Sequence, residues 1–323
     1  MLASLLPPGS RDFLNLPIVL IVGPTACGKS AAALHLAERF NAEIISIDSA
    51  LVYRDMNIGT AKPSAAELAQ VPHHLIDLIS PTETYSVARF LVDCRDAIDA
   101  IQSRGRMPIL VGGTMMYANI LVNGLSDVPP SDALIRAEIS AERERDGIEA
   151  LHERLRAVDP ITAARLPATD TQRIERALEV WRLTGAPLSS LQGKRKPALT
   201  GLKPLVMRWM PGDRAWLHAR CEARLVAMFE QGFVDEVKSL RKRYELQSNL
   251  PSMRCVGYRQ VLEVLDGIAP EAEMFQRALF ATRQLAKRQM TWLRSFDGAA
   301  LACDTESASV QAAALIEQAI QTP

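Results

Sequence analysis

The stretch GPTACGKS, Gly23 to Ser30, lies between an apolar run, PIVLIV, and a run with helical spacing, AAALHLAERF. Strand, then G-x-x-x-x-G-K-[ST], then helix is the pattern of a phosphate-binding loop. In such a loop successive backbone N–H groups wrap a di- or triphosphate, Lys29 neutralises it, and the Ser30 hydroxyl can hold Mg²⁺. The helix that follows adds its positive N-terminal end. All of Gly23, Pro24, Thr25, Ala26, Cys27, Gly28, Lys29 and Ser30 are therefore candidates for phosphate contact. The loop says neither which molecule carries the phosphates nor which bond breaks. Cys27 occupies a variable position and fits there as a small residue, although a thiol beside a helix N-terminus can have a lowered pKa.

Around the loop, residues 17–123 alternate strand and helix signals. PIVLIVG is followed by a helix from Lys29 to Phe40, and AEIISID reads as a second strand ending at Asp48. HHLIDLI reads as another strand, a helix runs from about Val87 to Arg104, and MPILVGGT is a strand ending in Gly112-Gly113-Thr114. Alternation of this kind predicts an α/β fold, a parallel sheet with helices on both faces. Ligands of such sheets sit beyond the carboxyl ends of the strands, where the phosphate loop, Asp48 and Thr114 all fall. From Gly124 to about Thr184 the signals are helical and charged, with no strand-like run. A basic turn, GKRKPALTG, follows, and PLVMRWM reads as a returning strand. Residues 124–200 thus read as a helical insertion in an α/β core formed by 17–123 and 201–323. Residues 1–16 read as a disordered leader, because their apolar patch lacks a basic flank and a long apolar segment.

Composition excludes several classes. At 323 residues, with 48% apolar and 23% charged, the chain is an ordinary globular protein. No run approaches the ~18–20 apolar residues of a membrane span. The five cysteines are scattered without a C-x-x-C pair, so they read as reduced thiols of a cytoplasmic protein, expected to be a monomer. His73 and His74 are adjacent and on a strand would point to opposite faces, which makes them a poor metal pair. The net charge is zero, which by itself argues against a nucleic-acid partner.

Local charge argues the other way. FQRALFATRQLAKRQMTWLRSF carries Arg277, Arg283, Lys287, Arg288 and Arg294 with no acid, and Lys194 to Arg224 contains only Asp213 and Glu222 as acids. Basic stretches of this kind are the footprint of a nucleic-acid binder, and a solvated face is the alternative. TQRIERALEV places Gln172, Arg173 and Arg176 within one helical turn, and RCVGYR sets Arg254 and Arg259 around a Gly-Tyr turn. Asp48, beside bound phosphates, could act as a general base or assist Mg²⁺. The Thr114 hydroxyl, after two glycines, could bond a phosphate oxygen or simply cap the helix MMYANIL.

Taken together, GPTACGKS, IDSALVYRDMNIGTAKP, GGTMMYANIL, TQRIERALEV, RCVGYRQ and ATRQLAKRQMTWLR resemble the tRNA dimethylallyltransferases, in order, from about residue 17 to 296. The resemblance implies a P-loop NTPase-like core with a helical insertion domain that contacts the anticodon arm of tRNA. It implies transfer of a dimethylallyl group from dimethylallyl diphosphate to the exocyclic amine of the adenosine 3′ of the anticodon, with Mg²⁺ required. Asp48 would be the general base, Thr114 would position the bridging oxygen, and Arg224 would approach the diphosphate. Contacts to tRNA would map onto Asp48, Ser49, Ala50 and Leu51, onto Thr114 and Arg136, onto Gln172, Arg173, Ile174, Glu175 and Arg176, and onto Arg254, Cys255, Val256, Gly257, Tyr258 and Arg259. Two departures, Cys27 where serine is common and Ser30 where threonine is common, leave the loop chemistry intact. The alternatives are a small-molecule kinase, an adenylate isopentenyltransferase acting on free nucleotide, and a non-enzymatic RNA-binding module. The first two need no basic helices, and the third needs no phosphate loop.

Overall fold

A computed structural model describes residues 16–126, 128–193, 195–196, 204–248 and 250–321. The expected leader, apart from Leu16, and most of the basic turn before PLVMRWM lie outside these residues. The chain divides at Asn119/Ile120 and again at Thr200/Gly201 into two compact units.

The first unit opens with β1 (Val19–Val22), α1 (Lys29–Arg39), β2 (Ala42–Ser46), α2 (Ala65–Gln70), β3 (His73–His74), α3 (Val87–Ser103) and β4 (Met107–Gly112), and the first boundary falls within α4 (Met115–Asn123). Its strands are fully buried where they are apolar: Val19 to Val22, Ile44, Ile45, Ile109 and Leu110 have almost no solvent contact. Val19, Ile21, Ile44, Ile109 and Val111 share one core with Ala33 and Leu36 of α1. Leu20, Ile45 and Leu110 alternate to the opposite face and are buried there. That side is met by α3, which packs on β2 and β4 and buries Phe90, Cys94, Ile98 and Ile101 at helical spacing. Helices thus cover both faces, as the continuous apolar strands require.

HHLIDLI is a much shorter strand than its apolar residues predict. Only His73 and His74 pair with β2, because Leu75 and Asp77 take positive φ angles of 61° and 57°, which no strand accommodates. The two histidines are spent on structure: His73 bonds the Val71 carbonyl at 2.7 Å, and His74 bonds the buried Glu43 carboxylate at 2.7 Å.

After the end of α4 the second unit runs through β5 (Leu125–Ser126), α5 (Ala133–Asp146), α6 (Ile148–Val158), α7 (Pro160–Arg165), α8 (Thr171–Thr184) and α9 (Leu188–Leu191) to β6 (Arg195–Lys196). Asp132 caps α5 by accepting from Leu134 N and Ile135 N, and Gly185, in the left-handed conformation, ends α8. Ile139, Leu151, Leu155, Ile174 and Leu178 form the core of this unit. The helical expectation holds except at its ends, where β5 and β6 pair antiparallel over two residues each, too short to leave a periodic signal.

The chain then returns to the first unit as β7 (Leu205–Met210), α10 (Arg214–Glu230), α11 (Phe233–Arg243), α12 (Tyr258–Leu265), α13 (Met274–Arg294), β8 (Ala299–Ala302) and α14 (Ser307–Gln321). The six-stranded sheet has the order β3-β2-β4-β1-β7-β8, and every pairing in it is parallel. The last strand was not foreseen: AALA has weak strand propensity and only Leu301 is buried in it. It forms because Met207 to Met210 offer it an open edge. Among the described residues no helix is long and apolar enough to cross a membrane.

Candidate active site

At the carboxyl end of β1 the backbone makes the tight turn the motif demands. Ala26 has φ 62°, and Gly28, at φ 84°, leads into α1. A β-carbon on Gly23 would lie 2.7 Å from the Trp209 carbonyl oxygen and 2.8 Å from Cys27 Sγ, so only glycine lets the loop leave the strand here. Lys29 is buried, and its Nζ donates to Pro24 O at 3.2 Å, which lays the ammonium along the loop.

The loop is held from outside as well. Arg220 Nε of α10 donates to Ala26 O at 2.8 Å. Gln289 of α13 accepts from Thr25 N at 2.8 Å and donates to Gly113 O, also at 2.8 Å. One buried amide therefore ties the phosphate loop to the end of β4. A β-carbon on Gly113 would sit 2.5 Å from Gln289 Nε2, so glycine is required there for the clamp to close.

Asp48 follows β2. Its Oδ1 accepts from Ala50 N at 3.0 Å, and Oδ2 has no hydrogen-bond partner among the described residues. The negative field of this carboxylate reaches its neighbours. Burial, reinforced by Asp48, pushes the hydroxyl of Tyr117 and the thiol of Cys255 each up to about 12. Burial holds Arg224 below the usual guanidinium value, and the Asp48 charge opposes that. Among the described residues the Thr114 side chain bonds Ser49 and not its own helix. Its Oγ1 accepts from Ser49 N at 2.9 Å and donates to Ser49 Oγ at 3.1 Å, linking the ends of β4 and β2.

These groups line one cavity of about 590 Å³, entirely within the first unit. Of the residues singled out in the sequence, Thr25, Lys29, Ser30, Asp48, Ser49, Ala50, Leu51, Thr114, Arg224, Arg254, Cys255, Val256 and Gly257 all face it. Gly23, Pro24, Ala26, Cys27 and Gly28 shape the loop behind it. Tyr258 does not reach the cavity. It is fully buried, and its hydroxyl donates to Glu236. Glu236 in turn accepts from Asn57 N, Ile58 N and Gly59 N at 2.9, 2.7 and 3.3 Å, so Tyr258 helps anchor the loop that follows Asp48.

In the second unit, α8 divides its predicted contacts. Ile174 belongs to the core, and Glu175 pairs with Arg143 at 3.0 Å. Arg176 donates to the Pro129 carbonyl and, at 2.8 Å, to Glu179, a buried carboxylate that also accepts from Ser131 Oγ and Asp132 N. Among the described residues the exposed Arg173 side chain bonds only Asp170, and that of Arg136 bonds only Ser131, at 3.4 Å. Arg173 and Arg136 are thus exposed cations of this unit.

Sequence reasoning missed the apolar wall of the cavity: Met115, Met116, Leu225, Met228, Phe233, Leu285 and Trp292. It also missed Gln289. On a helical pattern these residues are indistinguishable from ordinary core positions.

Behind the loop, Cys27 and Cys303 pack in one cluster. Burial alone would raise the Cys27 thiol, but its hydrogen bond with Cys303 and the Lys29 charge outweigh that and bring it down to about 7.

Fold and cavity together define a P-loop protein in which a phosphate site, a carboxylate and an apolar wall share one space, as suits an enzyme that moves an apolar group off a phosphate. The comparisons with known proteins narrow the class. The family described as IPP transferase matches residues 51–296, and that described as isopentenyl transferase matches 16–79. The tRNA dimethylallyltransferase of Chromobacterium violaceum is 55% identical over 280 residues, 86% of each chain. That of Ralstonia nicotianae is 53% identical over 312 residues, covering 94% of this chain and 97% of its own. Among solved structures, the tRNA isopentenylpyrophosphate transferase of Bacillus halodurans superposes with a TM-score of 0.67 at 34% identity, over 95% of this chain and 98% of that one. A eukaryotic dimethylallyltransferase acting on tRNA superposes with a TM-score of 0.76 at 28% identity, over 92% and 77%. The chain belongs to the tRNA dimethylallyltransferase family.

Proposed function

We propose that this chain transfers a dimethylallyl group from dimethylallyl diphosphate to the exocyclic amine of the adenosine 3′ of the anticodon in tRNAs, acting in the cytoplasm. The observation that carries the reading is the single cavity in which the phosphate loop, Asp48, Thr114 and an apolar wall face one another. A kinase site has no use for Met115, Met116, Leu225 and Met228 beside its phosphates, whereas a five-carbon allyl tail needs such a wall.

The chemistry follows from the groups present. The amine of adenine is a poor nucleophile because its lone pair is delocalised into the ring. As nitrogen attacks the first carbon of the allyl group, that carbon–oxygen bond breaks and its electron pair leaves with the diphosphate. Asp48 takes the amine proton through the unpartnered Oδ2. Loop amides and Lys29 stabilise the charge developing on the leaving group, and Arg224 adds to them from α10. The Thr114 hydroxyl can turn its proton from Ser49 Oγ to the bridging oxygen of the donor. The residues also fit Mg²⁺: the exposed Ser30 hydroxyl lines the cavity as a hard oxygen donor beside the phosphate loop. Bound with the diphosphate through Ser30, Mg²⁺ would supply further neutralisation of the leaving group. The acceptor base must leave its stack to enter such a cavity, which suits a loop of tRNA rather than a duplex.

One assay tests the reading. Labelled dimethylallyl diphosphate is offered with unmodified tRNA or AMP, and labelled ATP is offered in parallel. Label is expected in tRNA alone. Label in AMP would assign the chain to free nucleotides, and phosphoryl transfer from ATP would make it a kinase.

A further inference from the structure

Helix α13 presents two adjacent faces to two different spaces. Thr282, Leu285, Gln289 and Trp292, at helical spacing, face the cavity of the proposed active site. Gln276, Phe280 and Gln284, four residues apart along the neighbouring stripe, line a second, shallower groove against α12. The two spaces share three residues, Arg254, Val256 and Arg288. Both shared arginines are exposed, and neither makes an ion pair or a side-chain hydrogen bond among the described residues. The acids in the groove are already matched: Glu263 accepts from Arg259 and Arg277 at 2.8 Å each, and Glu273 lies 3.6 Å from Arg277.

In this groove Phe280 is 65% exposed, the most exposed of the large apolar residues on α13. An exposed ring beside unpaired arginines is the combination that binds an unstacked nucleotide: the ring stacks on the base and the cations meet the backbone. The layout also matches the connectivity of an RNA strand. A nucleotide inserted in the cavity is joined to its neighbour by one phosphodiester, and between the two spaces that link meets Arg254 and Arg288.

On the proposed reading of the active site, we infer that the groove between α12 and α13 is a stacking subsite for the nucleotide next to the modified adenosine, with Phe280 as its platform and Arg254 and Arg288 holding the intervening phosphate.

The test uses the full-length protein and a synthetic anticodon-hairpin RNA, together with two versions abasic on the 5′ or the 3′ side of the acceptor adenosine. Phe280→Ala is expected to weaken hairpin binding about 5- to 150-fold, the range for one lost base stack, while Phe280→Trp retains it. Donor KM and melting temperature stay unchanged, because the ring is outside the cavity and mostly exposed. One of the two abasic hairpins should bind the wild type more weakly by a similar factor, with no additional loss in Phe280→Ala. Equal binding by Phe280→Ala and wild type, or losses that multiply when the two changes are combined, would overturn the subsite and leave the active-site reading standing. Concentration-dependent self-association of the wild type that Phe280→Ala abolishes would also overturn it, by giving the ring to a second copy. A wild type that prenylates no hairpin would instead overturn the functional reading, and the subsite with it.

Discussion

Gln289 is the most informative residue to change. Its side-chain amide is buried between the phosphate loop and β4, with one bond to Thr25 N and one to Gly113 O, each 2.8 Å. Replacing it with alanine strands both backbone groups. A buried donor or acceptor without a partner costs about 1–3 kcal/mol. Because Gln289 also lines the cavity, water can reach the vacated space and restore part of this, so the net loss should lie near the low end, about 2 kcal/mol in all. The larger effect should be on catalysis. Thr25 N belongs to the loop that wraps the diphosphate, and misplacing catalytic groups by about 1 Å can lower rates ~100-fold. We expect kcat/KM for the donor to fall ~10- to 100-fold, with affinity for bare tRNA unchanged. Gln289→Glu provides the control: it can still accept from Thr25 N but cannot donate to Gly113 O, and it adds a negative charge beside the diphosphate. It should therefore impair donor binding at least as strongly as alanine. Prenyl-transfer kinetics at saturating tRNA, with urea unfolding on the same preparations, measure both quantities. A Gln289→Ala protein with wild-type donor kcat/KM would refute the view that this amide sets the loop.

Other outcomes follow from the same geometry. Asp48→Asn should leave donor binding intact and lower turnover ~10²- to 10⁴-fold in single-turnover assays, as loss of a general base does. Lys29→Ala should weaken donor binding, measured by competition with diphosphate, without altering affinity for bare tRNA. The two arginines of α8 should behave differently: Arg173→Ala raises tRNA KM with no change in melting temperature, because Arg173 is exposed, whereas Arg176→Ala lowers the melting temperature because it removes the cation paired with buried Glu179. Burial would raise the Glu179 pKa, but bonds from Ser131, Arg176 and Asp132 outweigh it and hold the carboxyl below its ordinary value of 4.5. Its contribution to stability is therefore present above about pH 4.5 and lost as pH falls through the lowered value; acid titration of unfolding should show that loss, and Arg176→Ala should make it smaller.

Much of this site was legible from sequence because its parts are local. The bend of GPTACGKS is a property of eight consecutive residues, and the strand before it is an uninterrupted apolar run. Even the meeting of Asp48 and Thr114 with the loop followed from their positions after strands, since parallel strands deliver their carboxyl ends to one edge. Charge along α13 was equally visible. What a linear pattern could not say is which face of a helix meets which neighbour. Gln289 and Phe280 are nine residues apart on one helix; one clamps the phosphate loop and the other stands in solvent, and only the packing of α13 decided between them. Tyr258 and Arg176 look like contact residues in their motifs, yet tertiary structure gives them the half-buried Glu236 and the buried Glu179 as partners. Strands β3 and β8 are of the same kind. The first stops early because Leu75 and Asp77 turn left-handed, and the second exists because a neighbouring strand offers an unpaired edge. Local sequence determined the loop, the strands around it and the chemistry they can carry. Pairings between distant residues, whose energies appear only once the chain is packed, decided which side chains face the reaction.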